Sequence, residues 1–157
     1  MLSPYRILDL TDERSNLTGL LLAQLGAEVI AIEPPDGINS RHIGPFEQDH
    51  PNIEKSLTHW AWNRGKKSVV GGLKEIEALA ATADVVIDCG AVSDLDLAEL
   101  RRQNPSLITV AVSPFGGDGP NASCKRWPTR FIRRPRPFTP SGRRSPPRMA
   151  SRCVRSR

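Results

Sequence analysis

Three cations lie close together at Arg64, Lys66 and Lys67, and their type and spacing suggest a site for an anionic ligand. They form a short basic loop around Gly65, ahead of the apolar segment 68–70. A basic loop that leads into a strand can hold the phosphates of a ligand through its charge and its N–H donors. A solvated loop is the more common use of such a cluster, so the charges by themselves leave both interpretations open.

A carboxylate at the end of a predicted strand, Glu33, is a second candidate. In a dinucleotide-binding domain an acid at this position binds a ribose, and the first strand is followed by a glycine-rich turn that lets the backbone approach the pyrophosphate. Residues 11–16 read Thr-Asp-Glu-Arg-Ser-Asn and contain no glycine. This argues against NAD or FAD and favours a solvated or capping role for Glu33.

Metal sites and nucleophile motifs are not predicted. The histidines His42, His50 and His59 lie eight and nine residues apart in polar sequence, which is not a zinc-ligand spacing. We interpret them as surface residues. The chain has no phosphate-binding P-loop, and Ser15 does not lie in a nucleophile elbow.

The elements that would position these residues alternate between strands and helices. Apolar runs predict strands at 5–10, 28–33, 84–88 and 107–112, and helical spacing predicts helices at 17–26, 73–83 and 94–103. The leucines of the first helix are expected near one helical face, with Gly26 as its C-cap; they are Leu17, Leu20, Leu21, Leu22 and Leu25. This order predicts an α/β fold, a Rossmann-like and mainly parallel four-stranded sheet.

The charge of the chain changes sign at Gly119. Residues 1–118 carry 10 Lys/Arg and all 17 Asp/Glu, whereas residues 119–157 carry 12 Lys/Arg and no acid. Seven of the 14 prolines lie in this second part. We therefore expect an α/β domain over 1–118 and a disordered basic tail over 119–157.

Five segments of the domain resemble the class III CoA-transferases, a family that includes formyl-CoA transferase, carnitine CoA-transferase and the α-methylacyl-CoA racemases. They occur in the family's order and spacing and cover about three quarters of this chain, but only the N-terminal part of a longer family protein. The matching segments are RILDLT (6–11), LAQLGAEVIAIEPPDG (22–37), WNRGKKSV (62–69), ADVVID (83–88) and NPSLITVAVSPFGGDGP (104–120).

This resemblance implies a coenzyme A site along the basic loop and the ends of the strands. The residues that it would place against CoA are Glu13, Arg14, Lys66, Lys67, Cys89, Gly90 and Ser113. The chain departs from the family pattern where Asp-Cys-Gly (88–90) replaces the usual Glu-Asn-Phe, and where Val-Gly-Gly-Leu (70–73) replaces a firmer strand.

The resemblance also implies an activity, namely CoA transfer between an acyl-CoA and a carboxylic acid, or racemisation of an acyl-CoA. The family transfers CoA through an aspartate that forms an anhydride and then a thioester. This aspartate would lie well beyond Asp118, and no acidic residue follows Asp118 here. We therefore predict no catalytic residue in this chain and a truncated, inactive family member.

The tail has three interpretations. A frameshift in a GC-rich gene would give its Arg, Pro and Ser composition. A natural short form would pair with a separate chain that supplies the rest of the family protein. A basic arm with Trp127, Phe131 and Phe138 would bind nucleic acid or another polyanion, which is the non-enzymatic alternative for the whole protein.

Location and assembly are also predicted. Three cysteines without a CxxC pair favour a reduced, cytoplasmic protein. No apolar run is long enough to span a bilayer, and the N-terminus does not resemble a signal peptide. The family forms interlocked dimers, so this chain is expected to need a partner chain or a second copy to cover its apolar surfaces.

Overall fold

The computed structural model describes residues 1–13, 15–92, 94–116, 118–120 and 122. The chain divides into two units, residues 1–112 and 113–157. In the first unit the strands are β1 (Arg6–Leu10), β2 (Glu28–Glu33), β3 (Lys67–Val70), β4 (Val85–Asp88) and β5 (Ile108–Ala111). The helices are α1 (Asn16–Gln24), α2 (Leu57–Asn63), α3 (Leu73–Ala80) and α4 (Leu97–Gln103), and short 3-10 turns span Asn39–His42 and Glu47–Asp49.

The five strands form one sheet in the order β3-β2-β1-β4-β5, and every neighbouring pair is parallel. The chain builds outward from β1 to β3 on one side, then crosses back to place β4 on the other side of β1. The fold is therefore α/β with a parallel sheet, as predicted from the sequence. The carboxyl ends of all five strands meet at one edge, where open sheets of this kind bind ligands.

The core lies on both faces of the sheet. On one face, α3 and α4 cover a cluster that includes Leu8, Ile30, Ile76 and Val86. On the other face, α1 covers a smaller cluster of Ile7, Ala27, Val29 and Ile87. Consecutive strand residues alternate between these two clusters, as expected for a sheet that is covered on both sides.

Two elements were missed by the sequence prediction. β3 makes the sheet five-stranded rather than four-stranded, and it begins within the basic loop at Lys67. α2 occupies a segment for which no helix was predicted, and the side chain of Ser56 caps it by accepting a hydrogen bond from the backbone N–H of His59. α4 also begins later than predicted, since Asp96 caps its first turn instead of residue 93 or 94.

The first helix differs from its prediction in the direction of its leucines. Leu20 is buried, but Leu17, Leu21 and Leu25 are each about half exposed, at 50%, 51% and 47%. The C-cap is Leu25, and Gly26 follows it with a φ of +95°. The backbone N–H of Ala27 donates to Leu22 O, which completes the Schellman motif that ends helices at such a glycine.

The basic tail falls largely outside the described residues. Only residues 119, 120 and 122 of the segment 119–157 are described. The disorder predicted for this segment therefore stays a prediction.

Candidate functional site

A cavity of about 440 Å³ opens at the carboxyl edge of the sheet. Its walls come from the ends of β1 and β2, the glycine pair that follows β3, the turn after β4 and one side chain of α3. The lining residues are Leu10, Thr11, Asp12, Glu13, Ile32, Glu33, Pro34, Gly37, Ile38, Asn39, Gly71, Gly72, Ile76, Ala91 and Val92. This is the size and composition of a small-molecule site, apolar within and polar at a few points.

The charged residues among the described lining residues of the cavity are all acidic. Asp12, Glu13 and Glu33 lie in the lining, and no lysine or arginine of the described residues does. Asn39 donates a hydrogen bond from Nδ2 to Glu13 Oε1 at 3.0 Å, which joins the turn after β1 to the turn after β2. The cavity therefore suits a ring or an amide better than a phosphate.

Glu33 is the anchor of one cavity wall. Its carboxylate accepts hydrogen bonds from Arg41 Nε at 2.6 Å and Arg41 Nη2 at 3.0 Å, and from Ser68 Oγ at 2.7 Å. Burial raises the pKa of Glu33, but the hydrogen bonds and charge of Arg41, with the bond from Ser68, outweigh it and hold the pKa at about 2. Of the two roles expected for Glu33, the solvated one was wrong, since the side chain is 3% exposed and forms a buried ion pair.

His59 also proves to be buried, contrary to the prediction that it is a surface histidine. Its Nδ1 lies 3.0 Å from Ser40 Oγ and 3.2 Å from Asn63 Nδ2. Burial, together with the nearby charge of Arg41, lowers the pKa of His59, so the ring is neutral near pH 7. Ser40 is 1% exposed, so this pair fixes the Asn39–His42 turn and is not accessible to a substrate.

Lys66 lies inside the protein and not in a solvated loop. Its Nζ donates to Asp9 Oδ2 at 2.7 Å, Asn63 Oδ1 at 3.0 Å and Asn16 O at 3.1 Å. Both side chains of the Asp9–Lys66 pair are 2% exposed. An ammonium group has three N–H donors. All three have acceptors, which leaves none for the phosphate of a ligand.

The Asp9–Lys66 pair requires a glycine on the facing helix. A Cβ at Gly19 would lie 2.0 Å from Asp9 Oδ2 and 2.9 Å from the Cε of Lys66. Asp9 also accepts hydrogen bonds from both the backbone N–H and the hydroxyl of Thr11. The pair thereby fixes the end of β1 and the turn that lines the cavity.

Lys67 lies at the opposite end of the sheet from the cavity. It is the first residue of β3, and its Nζ donates to Glu28 Oε1 at 2.6 Å. Hydrogen bonds from Lys67 and Arg6 to Glu28 hold the pKa of that carboxylate at about 2. The side chain of Lys67 is 67% exposed, so it is the more accessible of the two lysines.

The turn after β4 brings Asp88, Cys89 and Gly90 to the carboxyl edge. The Sγ of Cys89 lies 3.7 Å from Leu10 O, at the point where β4 has crossed back beside β1. Gly90, with a φ of +77°, donates its N–H to Asp88 Oδ1 at 2.9 Å. Burial raises the pKa of Asp88, and backbone N–H groups of this turn partly oppose the rise.

The predicted ligand residues thus separate into groups. Glu13 lines the cavity, and Cys89 and Gly90 directly precede the lining residues Ala91 and Val92. Arg14 lies outside the described residues, and Ser113 belongs to the second unit. Contact of any of these residues with CoA remains a prediction.

Several residues of the site were not singled out by their sequence. Asn39, Ile38 and Gly37 follow β2, and Gly71 and Gly72 follow β3. The available signal was their position, because residues that follow parallel strands share one edge. That signal could not be used for β3 while β3 itself was unassigned.

The described part of the chain contains neither a metal-ligand cluster nor a membrane-spanning helix. No group of three or more His, Cys, Asp or Glu side chains in it could hold a metal ion. None of its helices is long and apolar enough to cross a membrane.

Comparison with known proteins gives a consistent family. The sequence model of CoA-transferase family III matches residues 2–127. The chain is 33% identical over 132 residues to the succinyl-CoA:(R)-benzylsuccinate CoA-transferase subunit BbsE of Thauera aromatica, covering 77% of this chain and 32% of that protein. It is 37% identical over 134 residues to a probable fatty acyl-CoA transferase of Mycobacterium tuberculosis, covering 78% of this chain and 34% of that protein.

A solved structure is also similar to this chain. A CAIB/BAIF family protein from Brucella suis matches with a TM-score of 0.67 and 31% identity, over 77% of this chain and 35% of that chain. The present chain therefore spans about a third of the length of the relatives that it matches.

Proposed function

We propose that this chain, which belongs to CoA-transferase family III, binds coenzyme A or an acyl-CoA in the cavity at the carboxyl edge of the sheet. The observation that carries the proposal is the position of the cavity, beside the point where the strand order reverses from β1 to β4. Nucleotide ligands of parallel α/β sheets bind at such a point. The relatives named above carry CoA-transferase names, so the acyl-CoA class follows from the family.

The lining determines which part of CoA enters the cavity. Leu10, Ile32 and Ile76 give it apolar walls, and the described lining residues include no lysine or arginine that could bind a phosphate. We therefore assign the adenine ring or the pantetheine amide to the cavity and the phosphates to the solvent outside it. Arg14, Cys89, Gly90 and Ser113 remain proposed contacts.

Lys66 and Lys67 have different roles in the proposed binding site. Lys66 holds the end of β1 through Asp9 and is a positioning residue. Lys67 is exposed, and it could meet a phosphate only by leaving Glu28. Neither lysine is needed for a ligand that enters by its ring or its amide.

We also propose that this chain by itself has no CoA-transferase activity. CoA transfer within the family needs a carboxylate nucleophile, and residues 119–157 contain no aspartate or glutamate. In this proposal the residues of the chain bind and orient a CoA group but do not break its thioester. A cytoplasmic location, inferred from cysteine usage, also belongs to the proposal.

Calorimetry of the full chain with CoA tests the binding site. We expect binding with a dissociation constant below about 1 mM. Ala91→Trp should weaken it at least tenfold, because an indole at this exposed lining position fills the cavity. Ala98→Trp is the matched control, since Ala98 is exposed on α4 and does not line the cavity. Absence of heat from the unsubstituted chain at millimolar CoA would reject the site.

A second candidate function is polyanion binding by the tail. Its support is the 12 Lys/Arg residues of segment 119–157, which has no acidic residue. Retention of the full chain on immobilised nucleic acid should fall steeply with salt, and residues 1–118 should not be retained. Equal retention of the two would reject this function.

The origin of the tail can be tested from its DNA sequence alone. If the tail arose by a frameshift, the DNA of residues 119–157 read in one of the other two frames continues the family pattern, and acidic residues return. If neither frame does so, the frameshift interpretation is wrong.

A further inference from the structure

One wall of the cavity is a segment that lies outside the sheet and the α-helices. It comprises residues 34–39, which follow β2, and we call it the wall segment. Its residues Pro34, Gly37, Ile38 and Asn39 line the cavity. Because the wall segment belongs to no strand ladder, the groups that bond to it decide where it lies.

Arg41 joins the two ends of the wall segment. Its Nε and Nη2 donate to the carboxylate of Glu33, which directly precedes the segment. Its backbone N–H donates to Ile38 O at 2.9 Å, and the N–H of Ile38 donates to Glu33 Oε2 at 3.4 Å. Both backbone groups of Ile38 are therefore bonded to the two residues of this ion pair.

The stem of Arg41 packs against the turn inside the wall segment. A Cβ at Gly37 would lie 2.7 Å from Arg41 Cδ, and Gly37 has a φ of +77°. Glycine meets both requirements because it has no Cβ. The N–H of Gly37 donates to Pro34 O at 2.8 Å, so the turn stays closed beside the arginine stem.

Arg41 does not itself line the cavity. It lines a second cavity of about 240 Å³, and the two linings share no residue. The other residues of the second lining are His42, Phe46, Pro51, Asn52 and Ile53. Arg41 therefore acts on a ligand in the first cavity through the wall segment and not by contact.

We propose that Arg41 is a positioning residue that fixes the wall segment and with it the shape of the ligand cavity. Its planar fork of N–H groups holds the Glu33 carboxylate in direction as well as in distance. Lysine has the same charge but presents its donors from a single atom, so it does not reproduce the fork. The inference rests on the proposed function for ligand affinity, whereas its claim about the wall segment stands without a ligand.

Amide hydrogen exchange of the full chain tests whether Arg41 holds the wall segment. In Arg41→Lys the N–H groups of Gly37 and Ile38 should exchange about tenfold faster than in the unsubstituted chain. Arg102→Lys is the matched control, because the side chain of Arg102 is 69% exposed and pairs with Glu99 on α4. It should leave both rates unchanged.

Exchange in the core distinguishes positioning from a general loss of stability. Leu8 and Val86 are fully buried in the sheet, so their N–H groups report on global unfolding. If Arg41 contributed only to overall stability, Arg41→Lys would accelerate exchange at Leu8 and Val86 but not at Gly37 and Ile38. That result would overturn the inference.

Calorimetry with CoA tests the consequence for the ligand. At a temperature where circular dichroism shows both variants to be folded, Arg41→Lys should raise the dissociation constant about tenfold, and Arg102→Lys should leave it unchanged. A loosened wall segment with unchanged CoA affinity would also overturn the inference. Absence of CoA binding by the unsubstituted chain would reject only the proposed function, and the exchange rates would then decide the inference.

A double variant keeps the test decisive if Arg41→Lys does not fold. Arg41→Gln with Glu33→Gln lacks the fork and leaves no unpaired buried charge at the site. Faster exchange at Gly37 and Ile38 with weaker CoA binding is expected here too. Unchanged exchange rates in this folded double variant would overturn the inference.

Discussion

Replacing Lys66 by methionine should destabilise the protein far more than the same replacement of its neighbour Lys67. Methionine matches the lysine side chain as far as its Cε atom and lacks the ammonium. At position 66 this leaves the carboxylate of Asp9 without its cation in a site that is 2% exposed. At position 67 the replacement removes one of the two cations that pair with Glu28. The side chain of Glu28 is 30% exposed, and its pair with Arg6 remains.

The expected magnitude follows from burial. Removing one partner of a buried ion pair costs about 3–5 kcal/mol, because the remaining charge is uncompensated. Asn16 O and Asn63 Oδ1 also lose the donor that bonds to them. We take about 4 kcal/mol, a large fraction of the roughly 5–15 kcal/mol by which a domain of this size is stable.

Urea unfolding followed by tryptophan fluorescence measures the difference. Trp60 and Trp62 lie in α2, beside the Asn63 that bonds Lys66. With a denaturant slope of about 1.5 kcal/mol per molar, the midpoint of Lys66→Met should fall by about 2.7 M. The midpoint of Lys67→Met should stay within about 0.5 M of the unsubstituted chain, since exposed ion pairs contribute little.

A double substitution distinguishes the ion pair from simple loss of packing. Asp9→Asn with Lys66→Met removes both charges, and it should recover at least half of the loss caused by Lys66→Met alone. Equal midpoints for the two single lysine variants would refute the buried pair. A double variant no more stable than Lys66→Met would show that packing, and not charge, is what Lys66 supplies.

Three further outcomes follow from the same site. Gly19→Ala should lower the free energy of unfolding by about 1–3 kcal/mol in the same urea assay, because the new methyl group overlaps Asp9; an unchanged midpoint would contradict the close approach of α1. Glu33 has a folded pKa of about 2, below its ordinary 4.5, so its pairing with Arg41 stabilises the protein above pH 4.5 and this contribution is lost as the pH falls towards 2. The difference in unfolding free energy between the unsubstituted chain and Glu33→Gln should therefore shrink over that window, and a constant difference would be evidence against the ion pair. His59 has a folded pKa below its ordinary 6.5, so the unfolded chain takes up more protons and stability falls as the pH drops below about 6.5; His59→Gln should remove this dependence, whereas an identical pH profile would contradict a buried neutral ring.

The sequence was sufficient for the parts of the fold that have a strong local pattern. β1, β2 and β4 are short apolar runs between turns, and a parallel sheet needs such runs because both of its faces are covered. β3 was missed because it is a four-residue edge strand that begins with a lysine and is largely exposed. α1 was found, but a leucine-rich helix with no charged face gives no signal for which side turns inward.

The site was predicted less completely, because its charges are paired across long sequence separations. Asp9 and Lys66 are 57 residues apart, and nothing local marks either one as the partner of the other. In the same way, Ser68 donates a hydrogen bond to Glu33, which lies 35 residues earlier in the chain. A cluster of like charges in the sequence is therefore a poor guide to which of its members face solvent.

The strand order has a consequence for how the protein is made. β1 leaves the ribosome first, yet one of its two neighbours, β4, begins at residue 85. At roughly 5–20 residues per second, one edge of β1 stays unpaired for on the order of 4–16 s during synthesis. An open apolar strand edge is a template for pairing with other chains. The nascent polypeptide thus presents this open edge until β4 has been synthesised, and β4 closes it.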